Sequence, residues 1–343
     1  MPDSSTPPPT GRQLYLPELP RLIPVAYHAN AVQLETASNN WVRRFLGDCF
    51  AGEEELLRFL RQRNGLYGPL TVPNAEPEKA LCVSDWYQLV NAVETIGAGS
   101  LLGGVVAGVK DGDSAGQPES SYLNAARDLF GRLVVGLSQA QRERLDQGLA
   151  ALHAEVVSAV PALPPTDAPD LDTCLDRRAA RMRYRVLGLL TEYAAAVDMS
   201  PFVGTPEFRE LQAHACRQMI IVSDLLSYRT AQRKTTPMNS VRLLNERDGL
   251  PLQDAVDRLC ELVEQYERAY IGARSRILAT PLGNHPETRV YLVGLDQLVA
   301  GSQEFAYITP RHFGDGAVWD GTRSGWYSVD EPVTRLHRTD DHS

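Results

Sequence analysis

Cysteine is scarce in this 343-residue chain, and the five present (Cys49, Cys82, Cys174, Cys216 and Cys260) are widely spaced, with no Cys-x-x-Cys pair. Such usage argues against a disulfide framework or a cysteine zinc site and points to a reduced, cytoplasmic compartment. Basic charge is also short. The 34 Lys and Arg face 43 Asp and Glu, a net charge of −9, which disfavours non-specific nucleic-acid binding. Long apolar runs are missing: the longest uncharged stretch, Thr95 to Val109, is too short and too rich in glycine to span a bilayer. Met1 to Thr10 lacks the basic-then-apolar order of a signal peptide and reads as a disordered tail. Period-2 alternation bounded by turns is not found in series, so no sandwich or barrel is expected.

What is present is helical periodicity. Residues 1–24 are Pro-rich with short apolar pieces (Leu14, Tyr15, Leu16, Leu19) and read as an extended arm laid on a body. From Asn30, one helical face carries Val32, Leu34, Trp41, Val42, Phe45 and Leu46, with Arg43 and Arg44 opposite. A charged helix over 53–63, a Gly/Pro/Asn loop from Asn64 to Pro77 and an apolar helix over 78–96 follow. A glycine-rich stretch leads into an acidic loop at 111–120. Further helices are expected over 121–160 (two), 171–197, 205–234, 252–277 and 285–308, with a mixed tail from 314. The expected architecture is all-α: one helical domain over 25–313, flanked by the arm and by a C-terminal tail, 314–343.

Several polar clusters have plain readings. Gly97-Ala98-Gly99 with Gly103 and Gly104 lacks the strand before it and the Lys-Ser/Thr after it that a phosphate loop needs. His153 and Glu155 point to opposite sides of a helix. Glu53-Glu54-Glu55 suits a helix start, where carboxylates complement the macrodipole.

The segment Ile221 to Val241 is more specific. Ser223, Ser227 and Ala231 fall at i, i+4 and i+8, one stripe about 12 Å long at 1.5 Å per residue. Asp224 lies about 100° round from Ser223. From the residues alone, helical serines are more often back-bonded or packed than liganding.

This segment resembles the second metal motif of class I terpene synthases of the bacterial type, in which Asn-Asp is followed by Ser and then Glu at four-residue steps. Asp224, Leu225, Ser227 and Tyr228 match; Ser223 replaces the Asn and Ala231 the Glu. Met238-Asn239-Ser240-Val241 is similar to the step after that helix. Upstream, Ser84-Asp85-Trp86 resembles the opening of the helix that carries the aspartate-rich motif, and Glu94-Thr95-Ile96-Gly97-Ala98 occupies the motif's place with only Glu94 keeping a carboxylate. Cys174-Leu175-Asp176-Arg177-Arg178 resembles the stretch with the diphosphate-sensing arginine, and Thr309-Pro310-Arg311-His312 the Thr-x-Arg-Tyr ending, with His312 in place of Tyr. The opening helix with Trp41, Arg43, Arg44 and Phe45 is also similar, so the resemblance runs over roughly residues 20–313.

The resemblance implies a helical bundle around an apolar cavity and an isoprenoid cyclase, a carbon–oxygen lyase acting on a C10–C20 prenyl diphosphate. It implies Arg177, Arg178, Arg311 and His312 on the diphosphate. It further implies Glu94, Ser223 and Ser227 (with Thr95 as a helper) on a thinned Mg²⁺ site, and Trp86, Tyr87, Phe305 and Tyr307 along the cavity. The expected partner is an isoprenoid small molecule, with no nucleic acid, no membrane span, and a homodimer left open. A non-ionising relative, binding a terpenoid or converting a substrate without diphosphate, is the alternative.

Overall fold

Helix α1 (Ala31–Leu46) buries Leu34, Ser38, Trp41, Val42 and Leu46. Val32, expected on that face, stands 70% exposed, because two residues before Leu34 is more than half a turn away. In the computed structural model, the described residues are 12–96, 121–157, 169–180, 182–233, 239–331, 333 and 335–337. The glycine-rich run and acidic loop, Met238, the Pro-rich break and both chain ends lie outside them, as does the side chain of Glu94. Helix α2 (Glu53–Leu60) opens on its three glutamates. Glu53 takes Arg43, Glu54 takes Arg58, and Glu55 accepts from the Ala51 N–H.

The expected loop from Asn64 to Pro77 is instead partly helical. A 3₁₀ turn, Asn64–Leu66, runs into a buried five-residue helix, α3 (Tyr67–Thr71). Five residues are too few to show a 3.6-residue stripe, and glycines make the packing possible. A Cβ on Gly68 would lie 2.1 Å from the Ala80 carbonyl oxygen, and one on Gly301 2.1 Å from that of Leu70. Helix α4 (Pro77–Ile96) buries Val83, Trp86, Leu89, Val90 and Val93.

The remaining helices are α5 (Ser121–Val135), α6 (Gln139–Val157), α7 (Leu171–Ala180), α8 (Met182–Ala195), α9 (Pro206–Arg233), α10 (Leu252–Leu278), α11 (Pro286–Ile308) and the turn α12 (Pro310–Phe313). Between α9 and α10, Ser240–Arg242 forms a helical turn that widens into a π turn over Leu243–Arg247. Helix α4 packs on α1, α3, α5 and α8; α9 packs on α7, α10, α11 and α12; α11 bridges the two groups through α3 and α8. Among the described residues no helix is long and apolar enough to cross a membrane.

Two short strands were not expected. β1 (Gln13–Leu16) pairs antiparallel with β2 (Gly325–Ser328), setting Leu14 opposite Tyr327 and Leu16 opposite Gly325. Leu14, Leu16 and Leu19 are buried. The arm is tied to α11 as well: the Tyr307 hydroxyl accepts from the Leu19 N–H at 3.1 Å. The buried Glu304 carboxylate takes Arg21 at 2.7 Å, Tyr27 Oη at 2.5 Å and Arg323 of the tail at 3.1 Å.

Gly301→Ala should destabilise the fold by at least about 2 kcal/mol, since its neighbour is backbone and overpacking forces helices apart; urea denaturation reads this. Burial pushes the Asp85 carboxyl up to about 6 from 3.8, against the pull of Arg132 at 2.8 Å. The folded chain therefore holds this proton through pH 4 to 6, where the unfolded chain releases it. Over that window the stability of the native protein relative to Asp85→Asn should fall by up to about 3 kcal/mol as pH rises, then stay level above pH 7.

Candidate active site

Helix α9 is the element on which the sequence candidates converge. Ser223 and Ser227 are half-buried on it, and Ala231 follows in the same stripe. Asp224, one position round, is buried and carries the local electrostatics. Arg178 of α7 donates to it through both terminal guanidinium nitrogens, Nη1 and Nη2, the latter at 2.9 Å. The Ser240 N–H donates to the same carboxylate at 2.8 Å and the Ser240 hydroxyl at 2.6 Å. Asn239 Nδ2 donates to the Asp224 carbonyl, and Asn239 Oδ1 caps the following turn by accepting from the Val241 N–H. A carboxylate so enclosed has its lone pairs taken. Arg177, by contrast, is exposed on the outer side of α7.

The turn α12 packs against α9 as well as α11 and carries Arg311 and the buried His312. Thr309 sets its start, accepting from the Arg311 N–H and donating to the Gln62 carbonyl at 2.6 Å. Arg178 and Arg311 thus sit on two separate elements that both pack on α9.

The aromatic candidates separate into two groups. Tyr87 and Phe305 meet, edge to face, with ring centroids 5.1 Å apart. Tyr67 joins them, stacked on Tyr87 at 3.9 Å and edge-on to Phe305 at 5.3 Å. Trp86 instead packs on Phe130, and the Tyr307 hydroxyl is taken by the arm. On α4, Tyr87, Asn91 and Thr95 form one stripe. Asn91 Nδ2 donates to the Tyr87 carbonyl and Thr95 Oγ1 to that of Asn91.

Sequence reasoning missed Tyr67, which it left in a loop, and the ion pair of Asp224. The pair had one signal: a lone acid inside the apolar face of a helix needs a cation.

A family model described as terpene synthase family 2, C-terminal metal binding, matches residues 88–269. The chain belongs to this terpene synthase family. It is 26% identical over 313 residues to a (3S,6E)-nerolidol synthase of Selaginella moellendorffii, covering 88% of this chain and 84% of that one. An alpha-muurolene synthase of Coprinopsis cinerea is 23% identical, covering 85% and 72%. Among solved structures, a linalool/nerolidol synthase from Streptomyces clavuligerus in complex with 2-fluorogeranyl diphosphate superposes with a TM-score of 0.69 at 17% identity, covering 82% of this chain and all of that one. An SVS_A2 protein from ancestral sequence reconstruction gives 0.72 at 20% identity, covering 90% and 93%. The fold is that of the all-α class I terpene synthases.

The family is described as metal-binding, yet the described residues do not fit a divalent-ion cluster. Among them, no three His, Cys, Asp or Glu side chains gather as a ligand group. The α9 stripe offers two neutral hydroxyls and an alanine methyl, whereas a hard cation wants charged oxygens. The Asp224 carboxylate, one position round the helix, is held by Arg178 and Ser240.

Removing Arg178 should therefore act on the fold before it acts on any ligand. Arg178→Ala leaves the Asp224 side chain, 6% exposed, as an unpaired charge and should cost about 3 kcal/mol in urea denaturation. Pairing it with Asp224→Asn should recover more than half of that loss.

Proposed function

We propose that this chain is a terpene synthase acting on a C10–C20 prenyl diphosphate, with a leaving group held chiefly by arginines. In the proposed step the allylic C–O bond breaks, the electron pair leaves with inorganic diphosphate, and the remaining carbocation cyclises before losing a proton. Guanidinium groups suit the departing polyanion through paired, charge-assisted hydrogen bonds. The observation that supports this most is the arrangement of Arg178 and Arg311 on two elements that both pack on α9, the helix whose metal-motif positions have lost their charged ligands.

In this reading Arg311 and Arg178 contact the diphosphate, with Arg177 and His312 beside them. Tyr87 and Phe305 offer ring faces to the cation, with Trp86 and Tyr307 as outer packing. Mg²⁺ has a subordinate place: Glu94, Ser223 and Ser227 are its assigned oxygen donors, too few for a multi-ion cluster. The five cysteines are all free thiols, which suits a reduced cytoplasm.

The engagement of Arg178 by Asp224 favours a second reading. A guanidinium already neutralised has less charge to give a diphosphate, as expected of a non-ionising relative that takes a terpenoid without that group.

Incubation with geranyl, farnesyl and geranylgeranyl diphosphates, with Mg²⁺ and with chelator, separates the two by release of inorganic diphosphate. Turnover should depend only weakly on Mg²⁺. Arg311→Ala should weaken pyrophosphate binding by about ten- to a hundredfold, and Ser227→Ala by less than about threefold. Equal, large losses seen only with Mg²⁺ would mean that the metal site is intact. Absence of binding and release under all conditions would select the non-ionising reading.

A further inference from the structure

Arg229 lies two residues beyond Ser227 on α9 and is 3% exposed. Its Nη1 donates to the Phe313 carbonyl at 2.6 Å, and its Nε to the Glu331 carbonyl at 2.5 Å. Phe313 is the last residue of α12, the turn that carries Arg311 and His312. The next side chain along α9 repeats the contact: Thr230 Oγ1 donates to the His312 carbonyl at 3.3 Å. Two successive carbonyls of the turn are thus held from α9.

The turn is shaped to receive this guanidinium. Gly314 follows it with φ of +112°, and a Cβ there would lie 2.6 Å from Arg229 Nη1. A side chain there would push the guanidinium out of its present position, and the left-handed backbone favours glycine independently. A four-residue turn closes little hydrogen bonding of its own, here Gly314 N–H to the Pro310 carbonyl at 2.7 Å and His312 N–H to the Thr309 carbonyl at 3.4 Å. Its orientation is therefore set by external contacts. A planar fork can donate in two directions, one to the turn and one to the tail, which a lysine ammonium on a flexible stem does less well.

We propose that Arg229 is the positioning residue of the diphosphate site. From the metal-motif helix it fixes the α12 turn, and so the place of Arg311 and His312, while locking the C-terminal tail at Glu331 to the same point. The proposal rests on the reading that Arg311 binds diphosphate.

The test is a double-mutant cycle read by calorimetric pyrophosphate affinity in the full chain, using Arg229→Lys, Arg311→Ala and the pair. Arg229→Lys should weaken binding by about tenfold in the native background and by less than about twofold when Arg311 is already alanine. Gly314→Ala, which crowds Arg229 from the turn side without removing charge, should reproduce the loss. Equal losses in both backgrounds, or none in either, would overturn the proposal. Hydrogen exchange supplies a second readout independent of ligand: the amides of 309 and 311–316 should exchange faster in Arg229→Lys while those of α10 do not change. If the unmutated chain binds no pyrophosphate, the diphosphate reading fails by itself. Unchanged exchange at those amides would then overturn the hold of Arg229 on the turn as well.

Discussion

A carboxylate buried in the middle of a 28-residue helix is the constraint around which this site is built. Left alone, Asp224 would cost several kcal/mol, so its surroundings are organised to neutralise it. Arg178 reaches it from α7, and Ser240 from the segment after α9. Asn239 adds a bond to the Asp224 carbonyl. These contacts dock α7 on α9 and fix where the chain re-enters after the helix. Five residues on, Arg229 serves the carbonyls of α12 and the tail. Two buried ions on one helix thus determine the register of the elements around the serine stripe.

Helix α11 plays the matching part at the centre of the bundle. One side holds the arm, through Gln303 to the Pro20 carbonyl, Glu304 to Arg21 and Tyr27, and Tyr307 to Leu19. The other side meets α3, with Gly301 against Leu70, Ser302 against the Tyr67 hydroxyl and Phe305 against its ring. The placement of Phe305 against Tyr87 therefore depends on contacts made on both sides of α11. The terminal segments are structural parts of the bundle by this route: Arg21 and Arg323, three hundred residues apart in sequence, share one buried carboxylate.

Much of this was legible beforehand, for identifiable reasons. Helices of ten residues or more show their buried stripe over two or more turns, so α1, α4, α9, α10 and α11 could be read from Leu34, Trp86 or Leu225 and their neighbours. Elements of four or five residues carry no such statistics. Thus β1, β2 and α3 were missed although Leu14, Tyr327 and Tyr67 are all buried. In the candidate site, Arg178, Ser223, Ser227 and Arg311 were singled out by resemblance to the terpene synthase motifs, whose residues stand at fixed steps along helices or in a short ending. Asp224 was visible as a residue but not as an anchor, since it lies off the stripe and its partner is 46 positions away. Arg229 gave no signal at all. Its partners are backbone carbonyls 84 and 102 residues distant, and a carbonyl looks the same in every residue.

The two arginines of the proposed diphosphate site are not equivalent, and the difference follows from what each would give up. For Arg178 to turn to a ligand, Asp224 would keep only its contacts to Ser240, and a buried carboxylate resists that loss by several kcal/mol. An incoming diphosphate must offset this before any net binding is gained, so Arg178 acts best where it stands, as a fixed, half-neutralised charge. At Arg311 the structure ties down the turn itself, through Thr309, Thr230 and Arg229. A backbone held in place costs a ligand nothing to exploit, because its ordering is already complete in the folded chain. On this argument the weight of anion recognition shifts to α12, and the depletion of charged oxygens along α9 follows naturally. In the proposed function, where the diphosphate is held from the turn, the helix needs to supply only neutral hydroxyls and a rigid frame.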